Sequence, residues 1–270
     1  MKETRWIQQW TACLFFLSLL FSCNEEIEAS DFLGLDKNNA EDLCANPSII
    51  ALGEKMFFDP RFSLDNTISC ASCHRPESYF ADTIAFSKGI LGRRAARNTP
   101  TLLNVGYLTH FMGEGNVKTL EIQALIPLRD SNEMGSHIGE LLNELKSDAY
   151  YQKEAQRIFK RPLDAFVMTR SLSAYQRSLQ FVSRFDKYYY GKDEKALNKE
   201  EKAGWKLFSE GLKCTSCHSL PLFTSQEIVN NGAVYSDSLS KDKGLFILGV
   251  IWEDIGTFKS ASLRTVATTG

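Results

Sequence analysis

An excess of charge of one sign is the first thing missing from this 270-residue chain: 31 Lys and Arg face 33 Asp and Glu, a net charge of −2. That balance argues against nucleic acid as the main partner, because phosphate binding wants a basic surplus, and it offers no strong field for steering. Cysteine is scarce too, with seven residues, too few for a disulfide scaffold of this length. No apolar run is long enough to span a bilayer, which takes about 20 residues. No extended alternation of apolar and polar residues marks a sheet. What is present is a globular composition, 43% hydrophobic and 24% charged, with length for one large domain or two ordinary ones.

The longest apolar stretch, Thr11 to Ser22, follows a weakly positive start at Lys2 and Arg5. Its length suits an export signal rather than a permanent span. It ends in Leu20-Phe21-Ser22-Cys23, which resembles a bacterial lipobox. On that reading residues 1–22 are removed, Cys23 is lipidated, and residues 23–46, opening on Asn24, Glu25 and Glu26, form a solvated tether. The alternative is an ordinary cleaved signal with a chance cysteine. Both place the protein in the periplasm or otherwise outside the cytoplasm. The first reading makes the lipid its only link to a membrane.

Cys13 falls in the signal, Cys23 at its end, and Cys44 stands alone as a free or buried thiol. The other four cysteines fall in two copies of one pattern, Cys70-Ala-Ser-Cys73-His74 and Cys214-Thr-Ser-Cys217-His218, which use two of only four histidines. Cys-x-x-Cys-His is the attachment signature of c-type haem. Two thiols one helical turn apart reach the two vinyl groups on one edge of a haem, and the next imidazole turns under the ring towards iron. A zinc site would need four ligands at each cluster or a shared site, and a redox Cys-x-x-Cys has no need of the histidine. Export agrees with haem.

The flanks repeat as well. Lys55-Met56-Phe57-Phe58 and Lys206-Leu207-Phe208 precede the two motifs, and Phe80 and Phe223 follow them at nearly equal distances. Between the motifs the chain reads as helical. Ser136 is placed to cap a helix carrying Leu141, Leu142 and Leu145. Residues 164–183 set Met168, Leu172, Tyr175, Leu179 and Val182 in one stripe, a core-facing pattern. The polar stretch Arg184 to Ala196, with Gly191, is the best boundary, and Asn198 with Glu201 forms a capping box before the second motif. Residues 231–244 read as loop. The predicted fold is mainly α, two cytochrome-c-like haem domains.

The chain resembles the bacterial di-haem cytochrome c peroxidase family, which also includes the methylamine-utilisation di-haem oxidases. The resemblance runs from about Leu52 to Gly270. It is carried by Leu52-Gly53, Phe57 to Ser63, both haem motifs, Arg97 to Asn104, Leu120 to Ala124, Pro127-Leu128, Asn132 to Gly135, Phe258-Lys259 and Ser262 to Arg264. It implies a peroxidatic haem domain over 47–190, ligated by His74, and an electron-transfer haem domain over 191–270, ligated by His218. Gln123 and Glu133 match the distal amide and carboxyl. The carboxyl moves a proton between the two peroxide oxygens as base and then acid, and the amide orients the peroxide. Arg61 and Arg97 are candidates to pair with haem propionates. Asn98 matches a residue that helps hold a calcium ion.

Three departures modify the expectation. The segment Phe86 to Gly92, where several members carry a removable distal histidine, has no His or Met, so the first haem is expected to be open without reductive activation. His110 and His137 are the remaining histidines, and neither is expected to replace it. Gly113 stands where many members have an inter-haem Trp. The family continues past Ser-Leu-Arg to a second distal ligand, whereas this sequence has no Met after Met168, so the second domain reads as truncated and incomplete. The activity implied is hydrogen peroxide reduction with electrons from a small cytochrome or cupredoxin. The alternatives are oxidation of another protein or small molecule, and a non-catalytic di-haem electron carrier. Family members often form homodimers, and the resemblance extends that expectation to this chain.

Overall fold

A computed structural model describes residues 46–232, 242–249 and 251–270. The export signal, Cys23, the tether to residue 45 and Cys44 lie outside these residues, as does most of the expected 231–244 loop. Among the described residues the helices are α1 (Pro47–Phe57), α2 (Cys70–Cys73), α3 (Leu120–Gln123), α4 (Leu125–Arg129), α5 (Ile138–Lys146), α6 (Ala149–Phe159), α7 (Ala165–Ser178), α8 (Arg184–Tyr189), α9 (Lys199–Lys206) and α10 (Phe246–Gly249). A two-stranded antiparallel ribbon pairs β1 (Ile228–Asn230) with β2 (Thr257–Lys259), Val229 opposite Phe258. The mainly α expectation is met.

The core of the first half is the contact of α1 with α7. Asn46 caps α1, its Oδ1 accepting from Ser48 N at 2.9 Å, and Pro47 sits in the first turn, where its missing N–H costs nothing. Ile49, Leu52, Gly53, Met56 and Phe57 then recur at helical spacing and are buried. Asp164 caps α7 through Val167 N at 3.0 Å. Val167, Met168, Leu172 and Tyr175 line its inner face. The backbones meet at Gly53, where a Cβ would lie 1.9 Å from the Ser171 carbonyl oxygen. The glycine after Leu52 is therefore a packing requirement.

Two helix readings are corrected. The stripe expected over 164–183 holds for Met168, Leu172 and Tyr175, but α7 ends at Ser178. Asn104 ends it: its backbone N–H donates to Leu179 O at 2.8 Å, and its side-chain amide exchanges bonds with the Phe181 backbone at 2.9 Å in both directions. The chain there is drawn into extended form, and Val182 packs instead on a small cluster with Tyr107 and Leu222. Ser136 does not cap α5. His137 holds the cap position, and the Ser136 hydroxyl donates to the Phe62 carbonyl, a tertiary partner that wins over the local one. Leu141 and Leu145 are buried as expected. The Asn198–Glu201 capping box is present, each side chain accepting from the other's backbone N–H at 2.8 Å.

The polar stretch 184–196 contains α8, which packs against the second motif's surroundings. Phe185 lies 5.1 Å from Phe223 and 4.8 Å from Trp205, ring centre to ring centre. Asp186, fully buried, takes both nitrogens of the Arg264 guanidinium at 2.8 and 2.9 Å. Burial would raise the Asp186 carboxyl, but Arg264 and the capping Ser183 hold it below the usual range. A buried pair of this kind fixes geometry, because removing one partner strands the other's charge.

Two outcomes check this packing. Gly53→Ala must push α1 off α7 and should cost about 1–3 kcal/mol or more in urea unfolding, since backbone and not a flexible side chain blocks the methyl. Glu121 of α3 is gripped by Arg177 at 2.7 Å and Ser173 at 2.8 Å. Burial acts to raise its carboxyl, yet these partners bring it down to about 2 from 4.5. Its contribution is therefore complete above pH 4.5 and lost as pH falls from 4.5 towards 2. Unfolding curves across that window should steepen for the parent and flatten for Glu121→Gln.

Candidate functional site

The two Cys-x-x-Cys-His motifs fold in the same way, and the Phe repeat explains how. In the first, Cys70 O accepts from His74 N at 2.9 Å, closing one turn, and Ser69 N donates to Ser72 Oγ at 3.0 Å. The chain then doubles back, so that His74 Nδ1 meets the Phe80 carbonyl at 3.1 Å. In the second, His218 N donates to Cys214 O at 2.9 Å, and His218 Nδ1 meets the Phe223 carbonyl at 3.2 Å and the Ala261 carbonyl at 3.0 Å. Phe80 and Phe223 both sit in the left-handed region, at φ 56° and 54°. Such a conformation costs a non-glycine residue about 1–2 kcal/mol and persists only where the surroundings impose it. A carbonyl that takes the Nδ1 proton fixes the ring and leaves the Nε2 lone pair as the ligand. Burial lowers the His74 imidazole, which favours the neutral form a ligand needs.

The second-half turn is held by the segment the family resemblance picked out. Ser260 Oγ donates to Cys217 O at 2.7 Å, Ser262 Oγ to Leu222 O at 2.6 Å, and Arg264 to Pro221 O while its guanidinium lies over the Phe223 ring. In the first half Thr101 Oγ1 donates to Tyr79 O at 2.6 Å, and Leu102 N to Phe80 O at 3.2 Å, so the Arg97–Asn104 stretch plays the same part.

The four motif cysteines are unpaired thiols. Burial pushes Cys70 up to about 12 and Cys73 to about 11. Among the described residues no group of three or more His, Cys, Asp or Glu is placed to hold a metal ion. The donor set fits covalent haem: two thiols and one oriented imidazole in each motif, beside apolar side chains that face outward, Phe86 and Leu91 after the first and Leu207 and Leu212 before the second. A cavity of about 310 Å³ beside the second motif is lined by Phe181, Phe208, Phe223, Leu263 and Val266.

The remaining candidates divide. Glu133, half-buried on the turn after α4, lies close enough to Cys73 for its charge to bear on that thiol. Burial, and then the like charge of Asp130, raises its carboxyl above the ordinary range. The 86–92 segment packs on the Glu133 turn. Ile90 N donates to Glu133 O at 2.9 Å, and Gly89 packs so closely on Asn132 that a Cβ would lie 1.9 Å from its carbonyl oxygen. Gln123 is half-buried at the end of α3, which Glu121 pins to α7. His137 is exposed, as expected. His110 bonds Thr109 Oγ1 at 2.8 Å and lies at the junction of the halves.

Three further candidates already contact other parts of the chain. Arg61 binds Asp59 and Asp148 at 2.6 and 3.0 Å. Arg97 binds Glu114 at 2.7 Å and Asp242 through two nitrogens, over the Phe258 ring. Asn98 donates to the Gly270 carbonyl at 2.9 Å and accepts from Thr269 Oγ1, so its amide joins the two halves directly. At Gly113 a Cβ would lie 2.4 Å from Arg97 Nη1. The guanidinium occupies the space that a side chain there would need.

A sequence profile described as di-haem cytochrome c peroxidase matches residues 47–194. The chain belongs to the di-haem cytochrome c peroxidase family. Family membership implies two c-type haems. The chain is 31% identical over 227 residues to the methylamine utilization protein MauG of Methylorubrum extorquens, covering 83% of this chain and 64% of that one. It is 32% identical over 226 residues to the cytochrome c551 peroxidase of Pseudomonas aeruginosa, covering 81% and 65%. It thus spans just under two thirds of these relatives. Among solved structures, a MauG-like protein associated with microbial copper homeostasis superposes with a TM-score of 0.76 at 28% identity, over 83% of this chain and 71% of that one. The di-haem peroxidase BthA of Burkholderia thailandensis gives 0.70 at 26%, over 82% and 66%.

The Phe80 and Phe223 carbonyls and Ala261 were not found from the sequence. Their only signal was the nearly equal spacing of the two phenylalanines after the motifs. Replacing Cys70 and Cys73 by Ala should leave one covalently bound haem, replacing Cys214 and Cys217 should leave the other, and replacing all four should leave none. Intact mass and haem staining after denaturation read this directly.

Proposed function

We propose that this chain is a di-haem peroxidase that reduces hydrogen peroxide to two water molecules, taking two electrons from a small redox protein and two protons from solvent. Cys70, Cys73 and His74 hold the peroxidatic haem, and Cys214, Cys217 and His218 hold the haem that receives electrons. A c-type haem supplies the redox-active iron, and the chain supplies position and protons. The observation that carries the reading is Glu133: a half-buried carboxyl with a raised pKa, its charge felt at Cys73, beside the first motif. Such a group accepts a proton from one peroxide oxygen and returns it to the other. Gln123, at the end of α3, orients the substrate through its amide. The 86–92 segment, with no His or Met, supports a site open to peroxide without prior reduction. Residues 1–22 serve export, and Cys23 carries the lipid that anchors the protein outside the cytoplasm.

Oxidation of another protein or small molecule is the second reading, because MauG relatives are as similar as the peroxidases. Arg97 against Gly113 favours the first: a guanidinium held by two carboxylates is not oxidised as an aromatic ring is, so the junction offers no aromatic step at that point.

Steady-state peroxide consumption with a reduced small cytochrome tests the assignment. Glu133→Gln should lower turnover by about 10²–10⁴-fold with both haems still bound. In the parent the rate should fall on acidification at a pH above the ordinary glutamate range, since the carboxyl must start ionised, and the variant should lose that limb. Unchanged turnover in Glu133→Gln would remove Glu133 from the chemistry.

A further inference from the structure

Asp82 is a buried carboxylate, 4% exposed, close behind the first motif. Thr83 N donates to its Oδ1 at 2.7 Å and Ser87 Oγ to its Oδ2 at 2.6 Å. Ser87 spends its one proton there, so the 2.7 Å bond between the Ser87 and Thr99 hydroxyls runs from Thr99 to Ser87. Three buried side chains thus form a directed chain of donors that ends on Asp82. Among the described residues no Lys or Arg forms an ion pair with it. The 75–81 bridge sets Arg75 beside Ala81, but that guanidinium binds Glu77 at 2.7 Å. The second half differs: its buried carboxylate, Asp186, comes with Arg264 at 2.8 Å. A buried charge with no partner is costly, so Asp82 calls for a positive charge from elsewhere.

The fold shows where that charge would sit. After the motif the chain doubles back, Arg75 N donating to Ala81 O at 3.3 Å. Asp82 therefore follows directly on the turn whose Phe80 carbonyl holds His74. Ser87 is fixed by Ala95 N, which donates to its carbonyl at 3.0 Å. Cys73 Sγ lies against Ser87, with the Lys88 carbonyl at 4.0 Å. The Asp82 charge bears on both the His74 imidazole and the Cys73 thiol, whereas that of Glu133 bears on the thiol. We propose that Asp82 is the counter-charge of the haem held at the first motif and lowers that haem's reduction potential. With a neutral imidazole as ligand, a ferric haem carries one net positive charge at its centre and a ferrous haem none. A negative charge fixed in a buried site favours the ferric form. The inference rests on haem being held at Cys70, Cys73 and His74, and not on the choice of substrate. In the peroxidase reading it keeps that haem in the oxidation state in which it meets peroxide.

The test is an optical redox titration of the full di-haem protein, with the wave of the first haem identified from the Cys214→Ala, Cys217→Ala protein. Asp82→Asn keeps the shape, because its amide donates to Ser87, whose own proton turns to Thr99. At a fixed poise it should raise the ferrous-to-ferric ratio of the first haem about tenfold, an upward shift of about 59 mV for a one-electron couple, and move the second wave far less. Asp82→Ser, smaller and also neutral, should shift the first wave in the same direction. A merely structural role gives the opposite sign, since loosened packing admits water, which favours the more charged ferric form. A first wave that stays or falls in both variants, an equal rise of both waves, or a protein with no haem at Cys70 and Cys73 would overturn the proposal. Peroxide turnover plays no part in the titration, so a parent inactive towards peroxide fails the proposed activity alone.

Discussion

The bond from each motif histidine to a phenylalanine carbonyl is the constraint on which the rest of the molecule turns. A histidine directly after a Cys-x-x-Cys turn has a ring free to rotate, and a ligand needs a fixed one. The chain meets this twice by doubling back until Phe80 or Phe223 presents its carbonyl to Nδ1, at the expense of a left-handed backbone. That strain has to be imposed from outside the loop. In the first half the Arg97–Asn104 segment does so through Thr101 and Leu102, and in the second the Ser260–Arg264 segment does so through Ser260, Ser262 and Arg264. Two stretches remote from the motifs in sequence thus serve as their floors, and the buried Asp186–Arg264 pair locks the second in place.

The junction between the halves is polar where it could have been aromatic. Arg97 reaches across from the first half to Asp242 and rests on Phe258, with Glu114 completing its neutralisation. Gly113 is the residue that permits this, since even a methyl there would meet the guanidinium. Gln226 adds a second tie, accepting from the backbone N–H of Thr109 at 2.7 Å and of His110 at 3.2 Å, and Asn98 a third, through Thr269 and Gly270. Three separated contacts hold the two haem motifs at a set spacing with no aromatic ring at position 113.

Much of this was legible in the sequence wherever the determining interaction is local. The haem motifs, the Asn198–Glu201 box, the buried stripe of α7 to Tyr175 and the mainly helical class all depend on residues within a turn or two of one another. The errors share one physical cause. Ser136 looked like a helix cap but found Phe62 O, and the α7 stripe looked five residues longer but met Asn104. In both cases a long-range partner outcompeted the local one. Arg61 and Arg97 likewise meet carboxylates far away in the chain, Asp148 and Asp242.

The sequence by itself determined that the chain carries two Cys-x-x-Cys-His motifs in a mainly helical fold, because thiol spacing and helical period are properties of adjacent residues. Only the tertiary structure decided that the Glu133 carboxyl is half-buried on the turn after α4, that Phe80 and Phe223 hold the imidazoles by their carbonyls, and that a guanidinium fills the space above Gly113. Those placements depend on which segments the packing of α1 on α7 and the burial of Asp186 bring together. No spacing along a chain encodes the distance between segments that meet only when the core has closed.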